Sequence, residues 1–274
     1  METLSTPARV FATTVADRRA CAPGVVVLSL SAPELGSVTR PGQYVMAIPP
    51  GGERAGTALG IYEAGDGGIS LLFFVTGSRT AALAGLRPGD ALDLLGPLGN
   101  GFDLSGDPRD VGIVAGGVGI ASVLLPAIAL RRAGARVRLY YGARSAAHLV
   151  EAERFAGEGC ELLLATDDGS AGHRGYVTEL IARDDAPGLL LACGPSPMLR
   201  AVGRLAEERG LRAQLSLEET FACGVGGCWG CVVPVVRESA QAPSFPPASA
   251  GGSDVVNARI CKEGPVFWAH ELRW

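Results

Sequence analysis

Eleven residues near the carboxyl end, Phe221 to Cys231, read FACGVGGCWGC, and one more cysteine follows at Cys261 in the segment RICKEGPVF. The order is C-x4-C-x2-C, a long gap, then C, a spacing that holds a [2Fe-2S] cluster on four thiolates. No other feature constrains the chain as strongly. A chain that grips two irons must bring Cys223, Cys228, Cys231 and Cys261 to one place, across a gap of about thirty residues. Gly224, Gly226, Gly227 and Gly230 let the backbone wrap the sulfurs and aim N–H groups at them. Zinc is the competing metal. It usually takes two C-x2-C halves, and only one such pair stands here. A disulfide framework is the third reading. It fits poorly with the three scattered cysteines, Cys21, Cys160 and Cys193, and with an amino terminus that has no apolar leader core. The expectation is a reducing, cytoplasmic setting.

The remaining sequence divides in two. Up to about residue 105, short apolar runs alternate with Gly, Pro and Asp: ARVFATTVADRR, GVVVLSLSA, QYVMAIP, GISLLFFVTG and ALDLLGPLG. That rhythm predicts a small antiparallel β-barrel or sandwich, with one helix over Thr80 to Leu86. From about Asp110 strand-like and helix-like runs alternate, which predicts a parallel, doubly wound sheet. Val111 to Leu130 carries no charge and is long enough to cross a bilayer. Its glycines and Pro126 favour a buried strand, a turn and a buried helix instead. The expected fold is therefore α+β and multidomain. A β-barrel of the flavin-binding type spans residues 1–105, an α/β nucleotide-binding domain 106–215 and a small ferredoxin-like cluster segment 216–274, with an exposed loop at 239–253. The net charge is −4, and Lys262 is the only lysine. The absence of a basic stripe argues against nucleic-acid binding.

Within the α/β half, Gly116, Gly117 and Gly119 follow a predicted strand and open a predicted helix. Such a turn lets backbone N–H groups and the helix dipole meet a pyrophosphate; a plain strand–helix turn is the alternative. Cys193, Gly194 and Pro195 end a later strand at the same carboxyl edge. Asp167 and Asp168 end another, where they either bond a ribose or cap a turn. His270 and the aromatic tail FWAHELRW read as packing or docking residues.

The order of these parts, with LLGPLGNGFDL, IVAGGVGIASVLLPA, YYGARS, ACGPSPML, SLEETFACGVGGCWGC and CKEGPVF in register, resembles the electron-transfer subunits of class B dihydroorotate dehydrogenase, within the ferredoxin reductase superfamily. The resemblance implies a chain that takes hydride from NADH onto FAD. Single electrons then pass through a [2Fe-2S] cluster to an FMN-containing catalytic subunit that oxidises dihydroorotate, in a heterotetramer. NADH is expected rather than NADPH, and no membrane insertion is expected. The resemblance places Cys193, Gly194 and Pro195 by the nicotinamide. It places FAD against Thr57, Ala58, Leu59 and Gly60, then Leu72, Phe73 and Phe74, then Arg79 and Thr80. Here the chain departs from its relatives. Thr57-Ala58-Leu59-Gly60 stands where the family has Arg-Pro-x-Ser, so the Arg that meets the flavin pyrophosphate is missing. Phe73-Phe74 replaces a Tyr-Arg pair and Arg79-Thr80 a Gly-Thr pair. Arg79 or Arg54 could substitute for the lost charge. A chain that binds no flavin would be an iron-sulfur relay or a structural subunit of another complex.

Overall fold

The computed structural model describes residues 8–49, 56–185, 187–236 and 255–273. Arg54 and the 239–253 loop lie outside the described residues. The first half is a closed antiparallel barrel. Its strands are β1 (Arg9–Ala22), β2 (Val25–Ser31), β3 (Tyr44–Ile48), β4 (Thr57–Gly65), β5 (Gly68–Phe74) and β6 (Ala91–Leu98), in the spatial order β1-β2-β5-β4-β3-β6. Closure leaves no free strand edge. Alternate residues such as Leu28, Val45, Ile61, Leu71 and Leu94 fill the interior and are fully buried. Two short helices decorate it, α1 (Pro33–Val38) and α2 (Ser78–Ala84). Helix α2 starts two residues ahead of the expected helix because Thr80 Oγ1 accepts the N–H groups of Thr76 and Gly77 at 3.0 and 3.1 Å and so nucleates the first turn.

The second half is a seven-stranded sheet in the order β10-β9-β8-β7-β11-β12-β15. Its elements run β7 (Asp110–Gly116), α3 (Ile120–Arg132), β8 (Arg136–Ala143), α4 (Ala152–Gly157), β9 (Glu161–Thr166), β10 (His173–Arg174), α5 (Val177–Arg183), β11 (Leu189–Cys193), α6 (Ser196–Glu208) and β12 (Arg212–Ser216). The chain winds outward from β7 through β8 to β9, then returns to the far side of β7 as β11. The strand order thus reverses between β7 and β11, where open α/β sheets form a crevice at their carboxyl ends. The uncharged stretch Val111 to Leu130 is strand β7, a glycine turn and helix α3, with Pro126 inside the helix. No helix among the described residues is long and apolar enough to cross a membrane.

The run AAHLVEAERFAGEG, residues 146–159, is made of good helix formers but does not form one helix. Residues 146–157 form a single 3-10 turn and then the short α4, because Glu151 takes a left-handed conformation with φ 59°. That turn aims its carboxylate at the barrel. Arg19 donates two hydrogen bonds to it at 2.7 and 2.8 Å, and the Tyr62 hydroxyl donates a third at 3.0 Å.

The carboxyl-terminal segment is woven into both halves. Strands β13 (Val232–Val236) and β14 (Val255–Arg259) form a two-stranded sheet. Strand β15 (Val266–Trp268) adds antiparallel to β12 at the edge of the large sheet. Asn100, just after the barrel, clasps this segment. Its Nδ2 donates to the Val266 carbonyl at 2.7 Å, and its Oδ1 accepts from the Val266 N–H at 3.1 Å.

Candidate functional site

The larger of two adjoining clefts opens at the carboxyl ends of β7, β8, β9 and β11 and encloses about 780 Å³. Gly116, Gly117, Gly142, Asp167 and Pro195 line it, together with Arg144, His148, Tyr176 and Met198. The glycine pattern has separate causes at its three positions. Gly117 turns the chain with φ 53°. At Gly116 a Cβ would lie 2.7 Å from Met198 Sδ and 2.8 Å from Pro195, and at Gly119 it would collide with the Cys193 carbonyl. The turn is therefore pressed against the end of β11. Helix α3 has no side-chain cap and runs on from a 3-10 turn over Gly117–Gly119, which already takes up the Ile120 N–H; the backbone that meets the cleft is the start of that turn, at Gly116 and Gly117.

The two aspartates part ways. Asp168 Oδ1 accepts from the N–H and hydroxyl of Ser170 at 2.9 and 2.6 Å, which binds it to its own turn and lowers its pKa. Asp167 faces the cleft with Arg144 on the neighbouring strand end.

The smaller cleft, about 310 Å³, lies between the barrel, the β7–α3 turn and the segment after β12. Its barrel side is Thr57, Ala58, Leu59, Gly60, Leu72, Phe73, Phe74, Thr76 and Thr80; its far side includes Ser122, Glu218, Glu219 and Phe221. A Cβ at Gly60 would lie 2.4 Å from Ser122 Oγ, so the barrel and α3 approach closely there and a larger residue would displace the Ser122 hydroxyl. Thr57 Oγ1 is buried without a hydrogen-bond partner, an orphaned polar atom in the cleft wall. That wall carries the carboxylates of Glu218 and Glu219 and, among the described residues, no Arg or Lys. Arg79 does not reach it and instead donates to the Gly56 carbonyl at 3.5 Å.

Cys193 lies fully buried beneath both clefts, and its thiol donates to Glu218 Oε1 at 3.5 Å. Burial first, and Glu218 second, raise the thiol far above its ordinary range. Glu218 keeps solvent contact through the open side of the cleft. Crowding by protein on its other sides still raises its carboxyl, and the Cys193 bond opposes that rise. Of the expected site residues, Arg79, Gly119, Cys193 and Gly194 line neither cleft. Gly119 and Cys193 support the walls from behind.

The cysteine loop packs on the outside of strand β3. Gly224, with φ 70°, fits because a Cβ there would lie 2.7 Å from the Met46 side chain. The loop brings N–H groups of Val225, Gly227 and Cys228 to the Cys223 sulfur. They outweigh the opposing effect of burial and lower its pKa to about 6. The Cys261 N–H donates to Cys231 Sγ at 3.4 Å. Burial and the neighbouring Cys231 sulfur push the Cys261 thiol up to about 12. Cys228 is exposed. All seven cysteines are free thiols, which removes the disulfide framework. Among the described residues no three His, Cys, Asp or Glu side chains are closed into a metal cage. The donor chemistry nevertheless fits an anionic iron-sulfur group: one thiol already acidic, two sulfurs in contact, and a nest of N–H groups.

The three places form a series. Phe74 and Thr76 line both clefts. Tyr44 and Phe221 line the smaller cleft, their rings 5.1 Å apart, and stand against the cysteine loop. Tyr44, Ser122, Glu218 and Phe221 are not evident from sequence reasoning alone. The signal for Glu218 was its place in SLEETF, directly before the cysteines.

No family model matches the chain. Among curated proteins, it is 36% identical over 266 residues to the electron transfer subunit of dihydroorotate dehydrogenase B (NAD(+)) from Geobacillus kaustophilus, covering 94% of this chain and 96% of that protein. The subunit of the same name from Desulforamulus reducens is 30% identical over 92% of this chain and 94% of that one. The probable subunit from Methanothermobacter thermautotrophicus is 34% identical over 85% and 79%. Among solved structures, the NADH-dependent reduced ferredoxin-NADP oxidoreductase, described for flavin-based electron bifurcation, superposes with a TM-score of 0.78 at 26% identity, covering 96% of this chain and 90% of that one. The ferredoxin reductase of carbazole 1,9a-dioxygenase shares the fold with a TM-score of 0.65 at 19% identity, over 76% and 68%.

Proposed function

The chain belongs to the family of electron-transfer subunits of NAD-dependent dihydroorotate dehydrogenase B, and from that premise we propose that it carries electrons between NAD(H) and a catalytic dehydrogenase subunit that oxidises dihydroorotate to orotate. The observation that carries this reading is the series of sites: the larger cleft at the strand switch point, the smaller cleft sharing Phe74 and Thr76 with it, and the cysteine loop behind Tyr44 and Phe221.

In this reading the dinucleotide lies in the larger cleft. The start of the turn ahead of α3, at Gly116 and the left-handed Gly117, holds its pyrophosphate. Asp167 receives a ribose hydroxyl, and Pro195 and Met198 bound the end nearer the smaller cleft. The smaller cleft holds the ring system of FAD between the barrel strands and Glu218, with Thr57 Oγ1 supplied with a partner. FAD supplies the conversion of a two-electron hydride donor into single electrons. Glu218 accepts a hydrogen bond from the Cys193 thiol in the wall of the smaller cleft, and Phe74 lines both clefts where they adjoin. Cys223, Cys228, Cys231 and Cys261 would hold a [2Fe-2S] cluster, which would supply one-electron transfer, and the exposed Cys228 leaves that side of the loop open to a partner.

Anaerobic purification followed by cofactor extraction tests the reading. We expect FAD, about two irons and about two labile sulfides per chain, NADH-dependent dye reduction, and co-purification with a catalytic subunit. The absence of a cation in the smaller cleft wall favours one second reading, an iron-sulfur relay without flavin. A fully loaded cluster with no extractable flavin decides for the relay; stoichiometric FAD rejects it.

A further inference from the structure

We infer that Tyr44 is the positioning residue that couples the smaller cleft to the cysteine loop, setting how fast electrons pass from one to the other. The inference rests on the reading above, because it assumes a flavin in the cleft and a cluster on the cysteines.

Tyr44 occupies both places at once. Its side chain lines the smaller cleft, and the residue is only 4% exposed. Its hydroxyl points the other way, into the cysteine loop. It donates its single proton toward two buried backbone carbonyls, that of Cys261 at 2.7 Å and that of Gly224 at 2.9 Å. These belong to two chain segments separated by the 239–253 region. One carries Cys261, and the other follows Cys223 directly. Asn100 clasps only the segment after Cys261. Tyr44 ties both segments to the barrel, from a strand whose backbone is fixed by pairing with β4 and β6. Its ring also sits 5.1 Å from that of Phe221, at 50°, so the cleft wall and the entry to the cysteine loop pack as one unit.

The arrangement has two consequences. The O–H dipole fixes the carbonyl beside Cys261, and hydrogen bonds around cluster ligands tune reduction potential and spectrum. It also holds the loop at a set distance from the cleft. Losing this tie loosens that distance without touching the larger cleft, where NADH binds.

Tyr44→Phe removes the hydroxyl and keeps the ring. In the holoprotein, with NADH as the reductant, rapid mixing followed by flavin and cluster absorbance separates the two events. We expect cluster reduction to slow about fivefold relative to flavin reduction in the same mixing experiment, the factor for one ordinary hydrogen bond. The electron paramagnetic resonance spectrum of the reduced cluster should shift. Unchanged cluster spectrum and unchanged cluster reduction overturn the inference. If Tyr44→Phe fails to retain iron, replacement of Tyr44 by p-aminophenylalanine, which restores a donor on the same ring, decides. Iron retention and native rates with that residue support the role of the donor; no retention with either leaves Tyr44 as packing alone and overturns it. A native protein that takes up neither flavin nor cluster removes the function proposed above and this inference with it. A native protein loaded with both, beside an indistinguishable Tyr44→Phe, removes the inference alone.

Discussion

Replacing Glu151 should loosen the barrel from the nucleotide-binding half by about 2–4 kcal/mol. Glu151 is contributed by the sheet half, and its partners Arg19 and Tyr62 by the barrel. Arg19 is half exposed, so its two-pronged pair contributes only about 0.5–1 kcal/mol. The Tyr62 hydroxyl is buried and donates to a charged acceptor, a bond worth about 1.5–3 kcal/mol. Glu151→Ala forfeits both and leaves the phenol without a partner. Glu151→Gln keeps an acceptor for Tyr62 and should lose roughly half as much. Urea unfolding followed by tryptophan fluorescence measures the difference. Its pH dependence carries a sign. The Arg19 bonds above all, with the Cys21 and Tyr62 bonds behind them, outweigh burial and lower the Glu151 pKa in the folded protein. A depressed carboxyl contributes stability that is fully present above the unfolded value of about 4.3 and is lost as pH falls through the folded value. The gap between native protein and Glu151→Gln should therefore be constant from about pH 6 to 8 and close only below about pH 4. A Glu151→Ala loss below about 0.5 kcal/mol, or a gap that closes by pH 6, would refute the reasoning.

Gly119→Ala should abolish folded protein, because the new Cβ meets the Cys193 carbonyl rather than a movable side chain; soluble yield and circular dichroism check this, and native-like yield would contradict it. In reduced, metal-free protein, Cys223 should be alkylated by iodoacetamide with a midpoint near its pKa of about 6, while Cys261, pushed up to about 12, stays unmodified at neutral pH. Peptide mass spectrometry reads both, and iron-loaded protein should protect Cys223. Asp167→Ser should improve binding of 2'-phosphorylated nucleotide relative to the unphosphorylated one roughly fivefold, by removing about 1 kcal/mol of repulsion between exposed charges. Calorimetric titration with both nucleotides measures it.

How much of this was legible in the sequence differs between elements. The barrel and the doubly wound sheet follow from local pattern: short apolar runs punctuated by Gly, Pro and Asp up to about residue 105, and strand-like and helix-like runs with glycine turns from Asp110 onward. The break at Glu151 was not legible, since the stretch AAHLVEAERFAGEG has good helix formers throughout. Its left-handed kink answers to Arg19 and Tyr62, more than 80 residues away. Strand β15 was hidden for a related reason. Val266 to Trp268 is too short for a pattern, and only the clasp by Asn100 and pairing with β12 make it a strand.

The candidate site shows the same division more sharply. Glycines announced the larger cleft because a backbone that turns left-handed or packs against β11 tolerates little else. The sequence lacks Arg-Pro-x-Ser at Thr57-Ala58-Leu59-Gly60, and the wall of the smaller cleft holds Glu218 and Glu219 and, among the described residues, no Arg or Lys. No spacing could announce Tyr44, which reads as one more barrel residue in QYVMAIP. Its importance comes from two carbonyls that sequence places 180 and 217 residues away. A cysteine loop that is hydrogen-bonded to the cleft wall, packed on Met46 and extended into an edge strand of the large sheet cannot move independently of the two halves it joins. Its distance to the cleft is then a property of the fold, set by barrel residues such as Tyr44 and Met46 as well as by the loop itself.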